Sequence, residues 1–457
     1  MEKVSAVNNA ADASAKLPVS EKISYSFTDM AGNLLYVTIS SYILYFYTDV
    51  FSISVAGAGL ILLVARFVDA LSAPIWGSIV DHTHSKWGQS RPYFLWLAIP
   101  FAIATFLAFT APNLHGTAKL FYAGFTYILA AGVIYTGIQT PITAILPSMT
   151  SDASERISAN TYRMVGGAIG AFITSTFCLP LVALLGQGND KNGFMWTMLI
   201  FGIVAVILLF TAFKNIKERT VAVAKPIPFK DSLKATVGNS PWYLLVVSFA
   251  IYWIAQSTRN GISVYYAKYN LGNEQLTSVF NGLQILGIIA TISVPFVVKT
   301  TNKTAAMLIG LTIGAIGQAM MAFVGNNFAL VITAWIIGIL GASLAIAMPF
   351  AMLADTVDYG EWKTGIRASG FLTAVGSAFC IQLGSGFGSY IPSKIMAAAG
   401  FVANANQSAA ALNSIKFCFI WLPIIIYAIV AFIMLFYFKY EKMEPQIKAE
   451  LAERHEN

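Results

Sequence analysis

The sequence predicts an all-α membrane protein, with twelve transmembrane helices arranged as two six-helix bundles. Three observations carry that reading. Twelve long apolar stretches run from about residue 24 to residue 440, each long enough to cross a hydrocarbon layer of about 30 Å as a helix. Lipid offers no partner to a bare peptide group, so runs of this kind have to satisfy their backbone internally. Composition agrees: 57% of residues are hydrophobic and 11% charged, against about 25% charged in soluble domains. Finally, one polar stretch, Lys214 to Ser240, carries six basic residues with Pro226 and Pro228 and divides the apolar runs six and six.

In order, the expected spans are 24–47, 56–81, 92–111, 117–146, 157–186 and 195–213 in the first half. The second half has 241–267, 276–298, 305–324, 328–354, 370–400 and 412–438. This gives a first bundle over 1–214, a central loop over 215–240, a second bundle over 241–440 and a tail over 441–457. In both halves the second span ends in a polar, basic loop, Asp81–Arg91 and Lys299–Lys303, a faint internal repeat. Glycines inside spans, such as Gly384, Gly386 and Gly388, are read as surfaces for close helix packing.

The net charge of +7 is explained by topology. With loops alternating from a cytoplasmic N-terminus, 21 Lys and Arg fall on the inner side and 5 on the outer, the positive-inside bias. Both termini are therefore expected in the cytoplasm of a cell-membrane protein, and no nucleic-acid partner is required. Cys178, Cys380 and Cys418 lie in or beside apolar spans with no metal-ligand spacing. The first 20 residues lack the apolar core of a cleavable signal. No phosphate-loop motif occurs, which argues against ATP-driven transport, and no span carries a voltage-sensor charge ladder.

Charge at bilayer depth needs a partner or a purpose. The second span holds Arg66 and Asp69, three residues apart on one helix face, where they can pair. Two roles stand open: a fixed internal ion pair, or a cation or proton site at Asp69 that changes partners during transport. The first span offers Asp29, Gly32, Asn33 and Tyr36, and the fourth offers Tyr135, Thr136, Gln139 and Thr140 before Pro141. Amides donate and accept, which suits hydroxyl-rich ligands, although they equally suit bonds between helices.

Five stretches together go further. They are DMAGNLLYVTISSYILYFYTD (Asp29–Asp49), RFVDALSAPIWGSIVDHTHSKWGQSRPY (Arg66–Tyr93) and YTGIQTP…LPSMTSDASER (Tyr135–Arg156), then RNGISVYYAKYNLGNEQLTSVF (Arg259–Phe280) and ADTVDYGEWKTGIRASG (Ala354–Gly370). In this order they resemble the glycoside–pentoside–hexuronide:cation symporters over nearly the whole chain. The resemblance implies a major facilitator fold, alternating access, and sugar uptake coupled to a proton or sodium ion, with no cofactor and no covalent chemistry. Asp69 matches the family's cation-site carboxylate. Melibiose permeases have a second carboxylate four residues later, where this chain has Ala73, which favours a proton over sodium. Their sugar-binding aspartates align with Asn33 and Gln139, and the lysine many relatives carry in the eleventh helix is Gln382 here. Arg163 is expected near the inner end of the cavity. The polar loop Asp355, Asp358, Glu361, Lys363 and Arg367 at the cytoplasmic end of the tenth helix is implied to be part of the inner gate, pairing with basic residues such as Arg91 or Arg156 when the cytoplasmic side is closed. The reading is a proton-coupled importer of a glycoside or pentoside. A sodium-coupled or uncoupled facilitator is the alternative within the class, and a membrane sugar sensor the alternative outside it; nothing in the sequence specifies an oligomer.

Overall fold

A computed structural model describes residues 16–150, 152–219, 233–325 and 327–456. Helices make up the architecture, and among the described residues no strand forms. They are α1 Val19–Tyr45, α2 Val55–Asp81, α3 Ala98–Ala108, α4 Thr117–Ala144, α5 Ala153–Gly186 and α6 Asp190–Asn215. After the central segment come α7 Ser240–Tyr265, α8 Leu276–Thr300, α9 Lys303–Met320, α10 Phe328–Thr364, α11 Ser369–Ala398 and α12 Ala409–Leu435. A last helix, α13, spans Phe438–Glu456.

Among the described residues, nine of these helices are long and apolar enough to cross a bilayer. The three other expected spans are helical but fall outside that group. α1 carries Glu21, Lys22 and Asp29 and a run of Ser, Thr and Tyr. α3 is cut to 11 residues by the break at Leu97, after the short helix Pro92–Trp96. α7 holds the polar run Gln256–Asn260. The chain divides into two compact units, Met1–Ala224 and Lys225–Asn457. Lys225 and Lys230 of the expected central loop lie outside the described residues.

Within the first unit, α1 lies along α5 and α6, and α2 packs on α4. Glycine permits the closest of these approaches. A Cβ at Gly166 would collide with the Ser26 carbonyl on α1, and one at Gly170 would come within 2.5 Å of the Met30 carbonyl oxygen. These two glycines, four apart on α5, present one smooth ridge to α1. In the second unit Gly384 and Gly388 of α11 do the same against Ala250 and Ile254 of α7, at 2.6 and 2.7 Å. Their role is packing, as the sequence suggested.

The structure corrects two polar regions. Asp355, Asp358 and Glu361 belong to the last turns of α10, which continues to Thr364 before Gly365 (φ 72°) ends it; only Arg367 lies in the following loop. The segment stays helical because its charges are matched: Lys303 sits 2.5 Å from Asp355, and Arg367 pairs with Asp358 at 3.0 Å and with Glu361. Nor is 441–457 a bland tail. α13 packs on α10 through Tyr359, Ile447 and Leu451, Glu444 meets Lys303 at 3.0 Å, and Trp362 donates to Glu450 at 2.6 Å.

The α1–α5 contact generates a stability prediction. Gly166→Leu forces the two backbones apart, and overpacking of this kind costs about 1–3 kcal/mol or more. The thermal midpoint of the purified protein should fall clearly. Gly77→Ala, which adds its methyl to open space inside a helix, should leave the midpoint unchanged or raise it slightly.

Candidate functional site

Two polar clusters in the first unit are built by α1, α2, α4 and α5. The first centres on Asp69, 3% exposed, with Arg66, 7% exposed, three residues earlier on α2. Thr136 of α4 donates its hydroxyl to Asp69 Oδ1. Asp69 Oδ2 lies 3.8 Å from Arg66 Nη1 and accepts no hydrogen bond. Arg66 Nη1 instead donates to the Tyr36 hydroxyl of α1 at 2.6 Å. Ser72, one turn beyond Asp69, gives its hydroxyl proton to the Gly132 carbonyl at 2.6 Å, joining α2 to α4 beside the site. The Asp69 carboxylate is therefore hydrogen-bonded at Oδ1, while Oδ2 is buried and faces Arg66 without a hydrogen bond.

The second cluster centres on Asp29. Arg163 Nη1 of α5 donates to its Oδ2 at 3.0 Å, and Gln139 Nε2 of α4 reaches Oδ1 at 3.5 Å. Asn33 donates to the Asp29 main-chain carbonyl at 2.9 Å. Gly167 of α5 keeps this corner open, because a Cβ there would stand 3.1 Å from Asn33 Nδ2. The rings of Tyr36 and Tyr135 stack with centroids 4.1 Å apart and link the clusters, since Tyr36 touches Arg66 and Tyr135 lies beside Gly32 with Gln139.

The structure thus brings Asp29, Asn33, Tyr36, Gln139 and Arg163 together beside Arg66 and Asp69. Gln382 is half-buried on α11, in the second unit. Among the described residues, each charge named for an inner gate has partners within its own unit. Arg91 donates to the Phe213 carbonyl at 2.5 Å and stacks on the Phe213 ring, while Glu218 accepts from its main-chain N–H at 2.7 Å. Arg156 donates to the Thr150 and Pro147 carbonyls at 2.8 and 3.3 Å. Asp355, Asp358 and Glu361 are met by Lys303 and Arg367, and Lys363 lies 6.0 Å from the Trp362 ring centre. Two contributors went unassigned at the sequence level. Thr136 is the hydrogen-bond donor to Asp69, and Tyr135 is the stacking partner of Tyr36; their only signal was proximity to Gln139.

Comparison with known proteins places this geometry. Residues 24–442 match the family model described as MFS/sugar transport protein. The isoprimeverose transporter of Lactiplantibacillus pentosus is 42% identical over 96% of this chain and 92% of its own. The chain is a member of the major facilitator sugar-transport family, in its glycoside–pentoside–hexuronide:cation symporter branch. The putative glycoside/cation symporter YagG of Escherichia coli K12 is 30% identical over 93% of this chain and 92% of its own. A crystal structure of the nucleoside transporter NupG superposes with a TM-score of 0.67 at 12% identity, covering 92% of this chain and 99% of that one, which speaks to fold alone. The chain is accordingly a multi-pass membrane transporter and not an enzyme.

The Asp69 arrangement makes a prediction that needs no ligand. Asp69→Ala strips Arg66 and Thr136 of a shared buried partner, and breaking a buried pair costs about 3–5 kcal/mol. Asp69→Asn also leaves Arg66 without its counter-charge but keeps an acceptor for Thr136, and should cost about 1–3 kcal/mol less than Ala. Equal thermal midpoints for the two variants in detergent would remove the Thr136–Asp69 bond from the account.

Proposed function

We propose that the protein imports a neutral, xylose-containing glycoside or a related pentoside in symport with a proton. The observation that carries this reading is the half-held Asp69 carboxylate: buried, fixed by Thr136, and without a hydrogen bond at Oδ2, which faces Arg66. A proton needs one base, whereas sodium shedding its water needs several oxygen ligands. Here the position one turn from Asp69 is Ala73, which supplies no oxygen ligand. Relatives named isoprimeverose transporter and glycoside/cation symporter support the sugar class and the coupling.

Asn33 and Gln139 supply neutral donors and acceptors for sugar hydroxyls, with Arg163 and Asp29 holding their helices in register. Protonation at Oδ2 neutralises Asp69 and loosens its claim on Arg66. Arg66 then rests on Tyr36, whose ring stacks on Tyr135 beside the amide face. The proton and the sugar are thereby joined by one run of contacts, and linkage requires each to strengthen the binding of the other. Twelve apolar runs support twelve crossings, and the distribution of Lys and Arg supports both termini in the cytoplasm. That orientation puts Lys22, Arg156 and Arg219 at the inner surface.

Three outcomes test the reading. In sodium-free vesicles, adding the transported glycoside should draw protons inward and alkalinise the medium; several-fold stimulation by sodium with no proton movement overturns proton coupling. Asp69→Asn should lose uphill accumulation while retaining exchange of labelled sugar. Alanine at Asn33 or Gln139 should weaken sugar binding about ten- to hundred-fold, the value of about 1–3 kcal/mol for a buried hydrogen bond. Unchanged affinity in both variants would reduce those residues to helix contacts.

A further inference from the structure

In the first unit, α1, α5 and the end of α4 with Leu146 line an open cavity of about 290 Å³ whose wall includes neither Asp69 nor Asn33. Tyr25, Thr143, Arg156, Asn160 and Arg163 supply its polar atoms. Arg156, Asn160 and Arg163 fall at i, i+4 and i+7 on α5 and so share one helix face. Among the described residues, the wall holds two guanidinium groups and no carboxylate.

The two charges are not equally matched. Arg163 is neutralised by Asp29 at 3.0 Å. Among the described residues, Arg156 is bonded only to main-chain carbonyls, through Nε and Nη2, so no carboxylate compensates its charge there. Of the neighbouring carboxylates, Glu155 is committed to Lys22 at 2.8 Å and to the Leu17 amide at 3.1 Å, and Asp152 accepts from the Glu155 amide at 2.9 Å. Asn160 uses its oxygen on Arg163 Nε at 3.0 Å and leaves its NH2 group on the Met164 sulfur at 3.8 Å, a weak acceptor. The cavity thus presents surplus positive charge and under-used N–H donors. A neutral glycoside has no need of that charge.

We propose that this cavity binds a phosphoryl group, carried either by a small sugar phosphate or by free phosphate. Guanidinium nitrogens match phosphate oxygens in geometry and charge, and charge-assisted bonds of this kind are the strong ones. The volume accommodates a phosphoryl group with part of a monosaccharide. If the inward orientation proposed above holds, the cavity lies on the side where a kinase reaction would turn the imported sugar into its phosphate ester. An occupant would then draw on Arg163, which also holds Asp29, and act as a product-sensing brake on uptake.

The test is calorimetric titration of the full chain, in detergent and then in nanodiscs, with inorganic phosphate and separately with glucose 6-phosphate. Saturable binding should appear in the parent and weaken about ten-fold or more in Arg156→Gln, which loses the uncompensated charge. Ile157 also lines the cavity and is 71% exposed, so Ile157→Glu places a repelling carboxylate there with little risk to folding and should weaken binding similarly. Tighter binding of glucose 6-phosphate than of phosphate assigns the ester as ligand, and equal binding assigns the free ion. No saturable binding in the parent, or binding unaltered in both variants, overturns the proposal. Binding present in neutral-lipid nanodiscs but abolished by phosphatidylglycerol overturns it too, by making a lipid headgroup the occupant.

Discussion

A buried ion pair on α2 is the constraint around which the first unit is organised. Arg66 and Asp69 both lie in an apolar helix, and neither can be carried into a membrane without partners. α2 supplies only the pair itself. Their remaining needs are met from α1, through the Tyr36 hydroxyl, and from α4, through the Thr136 hydroxyl. Three helices are thereby held in one register by two charges. The Gly166–Gly170 ridge of α5 then lets α1 approach closely enough for Asp29 to reach Arg163.

The pair is not arranged for greatest strength. A purely structural pair would be short and fully hydrogen-bonded, because desolvation otherwise outweighs the attraction. Here the closest approach is 3.8 Å and one carboxylate oxygen accepts no hydrogen bond. Arg66 makes its shorter contact to Tyr36. That asymmetry leaves Asp69 able to accept a proton while Arg66 keeps a partner, which a cation-coupled carrier requires and a helix staple does not. In the proposed coupling, the consequence of protonation runs toward Tyr36, Tyr135 and the amide face.

Much of this was legible in the sequence. The apolar runs place the helices, because in lipid length and composition leave one backbone solution. Arg66 and Asp69 stand out because intramembrane charge is costly, and their three-residue spacing announces the pair. Asp29 was visible as a candidate but not as the partner of Arg163, since those residues are 134 positions apart and only tertiary packing joins them. Thr136 was hidden among several polar residues of α4. The end of α10 read as a loop because of its charges, yet Lys303, Arg367 and Lys448 of α13 supply the counter-charges that let the helix continue. The same blindness applies to α13: its few apolar residues, Ile447 and Leu451, matter only once Tyr359 is beside them.

The central claim is that the proton at Asp69 reaches the sugar through Arg66 and Tyr36. The most direct measurement is the pH dependence of sugar affinity, in sodium-free buffer, for the parent and for Tyr36→Phe, which keeps the ring stack and removes the Tyr36 hydroxyl from Arg66. The account predicts that parental affinity falls as pH rises and Asp69 loses its proton, while the slope in Tyr36→Phe is flattened. An unchanged slope in Tyr36→Phe, or a parental affinity indifferent to pH, would contradict it.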